Sequence, residues 1–119
     1  MPYIYLQFPE LKDFIAYLKS QNIYTVGIVE RVNRRTLKSG IPIARYYFRL
    51  TAKNERHKEI VLCDITYYEG ADIPIDREQI QKPRKQVEEE IEKIFAEEAA
   101  KGVIFNRIKA EFTPKPITV

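Results

Sequence analysis

"IARYYFRLTA", residues 43–52, is the stretch whose reading decides the fold. Its side chains alternate: Ala44, Tyr46, Phe48 and Leu50 fall to one side of an extended chain, Arg45, Tyr47, Arg49 and Thr51 to the other. A period of two marks a strand whose two faces meet different surroundings. Upstream, "IYTVGIVERVN" (23–33) repeats the pattern, with Val26, Ile28 and Val32 opposite Thr25, Val29 and Arg31. Downstream, "EIVLCDITYY" (59–68) is apolar on both sides at its centre, as a strand inside a sheet is. The connections "RRTLKSGIP", with Gly40 and Pro42, and "KNERHK" are short and polar, and they suit hairpins. The three strands therefore read as an antiparallel meander over 24–68.

The flanks add helices. "YIYLQF" (3–8) is aromatic and β-branched, a short strand. In "PELKDFIAYLKSQ", Leu11, Phe14, Ile15 and Leu18 recur at i, i+3, i+4 and i+7, which predicts a helix at about 10–20 with Pro9 at its start. "EGADIPIDREQIQKP" (69–83), with Gly70, Pro74 and Pro83, reads as a loop. A second helix is expected at about 84–101, burying Val87, Ile91, Ile94, Phe95 and Ala99 and ending at Gly102. "VIFNRIKAEF" (103–112) alternates as a last strand, and Pro114 and Pro116 break the tail. The order β-α-β-β-β-α-β predicts an α+β fold: one domain over 1–119, a curved antiparallel sheet with two flanking helices.

Composition limits the function. No apolar run approaches the roughly twenty residues that a membrane-spanning helix requires. The opening "MPYIYLQFPELKDF" lacks a basic leader region, so it does not read as a secretory signal. Cys63 is the only cysteine, which leaves no internal disulfide and no cysteine-based zinc cluster, and a cytoplasmic protein is the default expectation. The formal net charge of +3 hides a strong segregation. Residues 31–58 hold nine cations against Glu55 alone, a net +8, while 88–98 hold six glutamates against Lys93, a net −5. Segregated charge steers an anionic partner to one face.

The meander also carries a resemblance. Gly27, the basic turn with Thr36, Lys38, Gly40 and Pro42, then Phe48, Leu50 and Val61 resemble the first three strands of OB-fold nucleic-acid-binding domains over residues 26–62. The likeness implies an OB-like barrel with single-stranded nucleic acid lying across the face of these strands. The residues independently permit that. Arg31, Arg45 and Arg49 would line a groove, Tyr47 between two of them would stack on a base, and Arg34, Arg35 and Lys38 at the hairpin tip would meet phosphates. The expectation is a small, non-catalytic nucleic-acid-binding protein that prefers single strands and needs no cofactor. Arginines on an edge hairpin are also ordinary wet surface that discourages aggregation.

Two other readings stay open. The chain could be an interaction module for an acidic protein surface. It could also be a metal-dependent nuclease using Glu30, Glu59 and Asp64 on adjacent strands, although no acid-x-lysine spacing follows Asp64. Glu30 shares the parity of Val26, Ile28 and Val32, so it would point toward the apolar face, and either pairing with a buried cation or fraying of the strand near its end would explain it without catalysis. His57, alone in a polar turn, has no companion for catalysis or metal binding, and Cys63 reads as a buried inert thiol. The glutamate-rich second helix could meet the basic hairpin of another copy, and Ile117–Val119 could add to a neighbour's sheet edge, so homo-oligomers are conceivable partners.

Overall fold

The computed structural model describes residues 3–71 and 77–109, with side chains from Arg84 onward in the second stretch. The elements run β1 (Ile4–Phe8), α1 (Leu11–Ser20), β2 (Thr25–Thr36), β3 (Pro42–Asn54), β4 (Glu59–Gly70), α2 (Arg77–Ala100) and β5 (Asn106–Ile108). The expected order is therefore present. All five strands join one sheet in the order β1-β4-β3-β2-β5.

The middle of the sheet is the predicted meander: connections as short as 37–41 and 55–58 can join only antiparallel neighbours. Its edges differ from a purely antiparallel sheet. β1 pairs parallel to β4, Ile4 opposite Glu59 through Phe8 opposite Cys63, and β5 pairs parallel to β2, Thr25 opposite Asn106 through Gly27 opposite Ile108. Neither parallel pair is consecutive in the chain: α1, β2 and β3 intervene between β1 and β4, and β3, β4 and α2 between β2 and β5, so each connection is long enough for a parallel pair. Because β1 and β5 stand at opposite edges, the sheet is open among the described residues rather than closed as the OB barrel would be.

The described residues form a single α+β domain within which two compact units can be distinguished. Of the described residues, the first takes in 3–29, 49–63 and 105–109; the second takes in 30–48, 64–71 and 77–104; β2, β3 and β4 contribute to both.

In the first unit, α1 buries the four predicted residues, Leu11, Phe14, Ile15 and Leu18. Each such burial contributes roughly 1.5–3 kcal/mol before the entropy of ordering is subtracted. The helix closes in a Schellman turn: the Asn22 amide donates to the Lys19 carbonyl and the Ile23 amide to the Leu18 carbonyl. Asn22 takes the left-handed position there, with φ 57. Val26, Leu50, Ala52, Ile60, Val61 and the thiol-bearing Cys63 complete this core, the cysteine buried as expected. Tyr17 donates to Glu59 and stacks at 5.2 Å on Phe8, which ties the helix to both β4 and β1.

In the second unit, α2 starts at Arg77 rather than about 84, so Pro83, read as a boundary, falls inside it. Val87, Ile91 and Phe95 are buried as expected and Ile94 half-buried, but Ala99 is exposed and Glu98 is buried in its place. The end repeats the Schellman turn, with Gly102 at φ +88 and the Val103 amide bonded to the Glu98 carbonyl. Of the strand expected at 103–112, β5 in the first unit begins at Asn106, and residues 110–112 lie outside the described residues. Residues 72–76 of the expected loop, and the tail segment Ile117–Val119, lie outside the described residues.

β3 departs most from expectation. It is the central strand, with β4 and β2 on its two edges, and Tyr47 and Thr51, placed by alternation on the arginine side, are as buried as Tyr46, Phe48 and Leu50. Thr51 is fully buried, and its hydroxyl has no hydrogen-bond partner among the described residues.

Candidate functional site

Five cations of the second unit sit on or beside the β2–β3 hairpin, and others lie along α2. Residues 31–45 contain Arg31, Arg34, Arg35, Lys38 and Arg45 and no acid. Every residue from Val32 to Pro42 is exposed, so the β2 arm and the turn of this ribbon meet solvent on both sides, whereas Ala44 and Tyr46 on the facing arm are buried. Its turn is a three-residue hairpin loop: the Leu37 amide donates to the Ile41 carbonyl, the Gly40 amide to the Leu37 carbonyl, and Gly40 has φ +87. Glycine suits that left-handed position, which a side chain would strain. Three apolar residues stand on the ribbon uncovered, Val32, Leu37 and Ile41, at 49%, 39% and 47% exposure.

The arginines do not form one row. Arg34 and Arg35 are neighbours on a strand and so leave it on opposite sides. Arg34 Nη2 donates to the Tyr46 hydroxyl at 2.9 Å, and its guanidinium lies 6.0 Å from that ring. Arg35 goes the other way, into a cleft of about 150 Å³ that it lines with Asn33, Ile43, Ala44, Arg45 and Glu69. Arg45 lies over the Tyr47 ring at 4.3 Å and donates from Nε to Thr66 Oγ1 at 3.0 Å. Alternation sets Arg31 on the Arg35 side. Arg49 belongs to the first unit, as do Lys53, Arg56 and Lys58, so the +8 stretch is shared between the units. Lys53 is held by Glu55 at 3.7 Å and sits 5.0 Å from the Tyr3 ring.

The role expected of Tyr47 needs restating. At 5% exposure, with a guanidinium on its face, its ring offers no open platform to a base. Its visible work is to hold Arg45 in place, a contact strengthened where water is excluded.

On the opposite side, acids and aromatics form a connected cluster. The Tyr67 hydroxyl donates to Glu30 Oε1 at 2.6 Å, and Arg84 of α2 meets Glu30 Oε2 at 3.1 Å and Glu88 Oε1 at 3.5 Å. Of the two ways to accommodate Glu30, pairing with a cation is the one present. Tyr67 packs 5.4 Å from Phe48 and 6.0 Å from Tyr46, and Tyr46 meets Tyr68 edge-on at 5.7 Å. Burial, reinforced by the Glu30 carboxylate, raises the Tyr67 hydroxyl well above the ordinary tyrosine range. In the first unit, burial and then Glu59 push Tyr17 up to about 12.

Two of the three acids considered for metal-dependent cleavage are engaged by other side chains. Glu30 is occupied by Tyr67 and Arg84, and Glu59 by Tyr17. Among the described residues no three histidine, cysteine or acidic side chains are gathered as a metal would require. His57 is exposed in the 55–58 turn. On α2, Lys85, Glu88, Glu89, Glu92, Lys93 and Ala96 line a shallow, wide-open depression. No helix among the described residues is long and apolar enough to cross a membrane.

Comparisons of the chain with protein-family models, with curated proteins and with solved structures find no match.

Proposed function

We propose that the chain is a non-catalytic nucleic-acid-binding protein whose contact surface is the β2–β3 hairpin. One observation carries the reading: an exposed ribbon, Val32–Pro42, bears Arg34, Arg35 and Lys38 with no acid between Arg31 and Arg45. Phosphates recruit guanidinium and ammonium groups and release their own counterions, which supplies affinity without reading sequence. Asn33 and Arg35 in the adjoining cleft add donors, and Glu69 at its rim offsets part of the charge. The only acid directly preceding the ribbon, Glu30, is paired to Arg84 on the other side of β2 from Arg31 and Arg35. With Tyr47 buried, a preference for single strands through base stacking has lost its main support.

The test is a fluorescence anisotropy titration of labelled DNA and RNA with wild type and with Arg35→Glu/Lys38→Glu. Both side chains are exposed, so the double variant should fold normally and lose binding. Arg45 is a poorer choice, because replacing it also uncovers Tyr47 and removes the hydrogen bond to Thr66. Unchanged affinity in the variant, or no binding by wild type, rejects the proposal. The exposed Val32, Leu37 and Ile41 favour a second reading, an interaction module for an acidic protein surface. Capture of a protein partner with no response to oligonucleotides would support it.

A further inference from the structure

We infer that the β2–β3 ribbon enters the groove of double-stranded, B-form DNA, with Leu37 and Ile41 at the leading edge and Arg34 and Arg35 reaching its two walls. The inference rests on the nucleic-acid reading above and specifies its substrate. Three observations lead to it.

The first is the shape of the exposed element. Two strands stand about 4.8 Å apart, and with their side chains they fill a width near that of the major groove, about 12 Å. Such a ribbon fits only where nothing flanks it: the turn and the β2 arm back to Val32 are exposed, and the β3 arm is exposed as far as Pro42, with Ala44 and Tyr46 behind it buried. A flat binding surface would expose one face alone.

The second is the divergence of the tip cations. Arg34 and Arg35 leave β2 on opposite sides, one toward Tyr46 and one into the cleft beside Arg45. On a plane this wastes one of them. Between two phosphate-lined walls it serves both, and Lys38 in the turn completes the set. Tyr46 accepts one donor of Arg34 and fixes its side chain, leaving other donors of the guanidinium for a phosphate.

The third is the uncovered apolar pair at the turn, Leu37 and Ile41. Phosphates make no use of them. Inside a groove they would meet thymine methyl groups or wedge against a base step. A single strand stacks on open aromatic rings, and Tyr47, the ring in position to do so on the Arg45 side, is buried. A-form RNA has a deep, narrow major groove that excludes such a ribbon.

The experiment compares a short labelled DNA duplex, its single strands, an RNA duplex of the same sequence and vesicles of anionic phospholipid. Each is titrated with wild type and with Leu37→Ser/Ile41→Ser, which keeps every charge and alters only exposed positions. Circular dichroism confirms that the variant is folded. The expected result is tighter binding to the DNA duplex than to the other probes, at least tenfold, and a loss of roughly tenfold in the variant for that duplex alone. Equal or tighter binding to single strands or RNA duplex overturns the groove inference while leaving the nucleic-acid reading intact. So does a variant that binds the DNA duplex as wild type does. Binding to vesicles alone, or to nothing, overturns both.

Discussion

Replacing Tyr67 by Phe tests how the second unit holds Glu30. The ring keeps its contacts to Phe48 and Tyr46, so the variant removes one hydroxyl and little else. What it takes away is a 2.6 Å hydrogen bond to a carboxylate, a class worth about 1.5–3 kcal/mol when the acceptor is charged. The Glu30 side chain is 34% exposed and remains paired to Arg84, so water recovers part of this, leaving about 1–2 kcal/mol. An unfolding entropy of about 2.1 cal/mol/K per residue gives roughly 0.25 kcal/mol/K for the chain, so Tm should fall by about 4–8 °C at pH 7. The alkaline limb adds a second signature. Because the folded state raises the Tyr67 pKa above its unfolded value near 10, neutral Tyr67 stabilises the fold below that pH and loses this contribution as pH rises beyond it. Thermal melts followed by circular dichroism from pH 7 to 11 should therefore show wild type falling toward the variant above about pH 10. A Tm unchanged at pH 7, with parallel pH curves, would refute the reasoning.

Three further outcomes follow from particular side chains. Thr51→Val keeps the buried shape and removes a hydroxyl with no partner among the described residues; it should raise stability by about 1 kcal/mol in denaturant titrations. Gly40→Ala should cost about 1–2 kcal/mol although nothing stands within 4 Å of the added carbon, because the cost is the left-handed backbone and not crowding. Tyr17→Phe should remove part of the alkaline loss that wild type shows between about pH 10 and 12, read by the same melts, since Tyr17 titrates at about 12 when folded.

Much of this fold was legible because its signals are local. The α1 stripe is a matter of spacing, and Gly102 marks the end of α2 for a reason one residue carries. Alternation revealed β3, but it reports only that two faces differ, not that one is wet. The burial of Tyr47 and Thr51 depends on what surrounds β3, which has neighbours on both edges and the Arg45 guanidinium over the Tyr47 ring, and alternation alone does not report that. The parallel pairs β1–β4 and β2–β5 have a non-local origin, and they are why the open sheet departs from the barrel the resemblance implied. Pro83 misled in the opposite sense: read as a boundary, it falls within α2.

The candidate site was partly readable. Parity placed Glu30 toward the apolar face, where pairing with a cation or fraying of the strand could accommodate it, and the same parity makes the neighbours Arg34 and Arg35 diverge. What no local pattern could supply was Arg84, whose partner Glu30 stands on a strand far from it in the chain. The same holds for Arg45, whose place is set by Tyr47 beneath it and Thr66 on β4.

The salt dependence of DNA affinity is the most direct measurement of the central claim, that the ribbon cations act on phosphates. If three to five of Arg31, Arg34, Arg35, Lys38 and Arg45 each neutralise one phosphate of a duplex, log affinity should fall against log salt with a slope of roughly −3 to −4.5. Arg35→Gln/Lys38→Gln should make that slope shallower by about 1.8. A slope near zero, or one the double variant leaves untouched, would contradict the account.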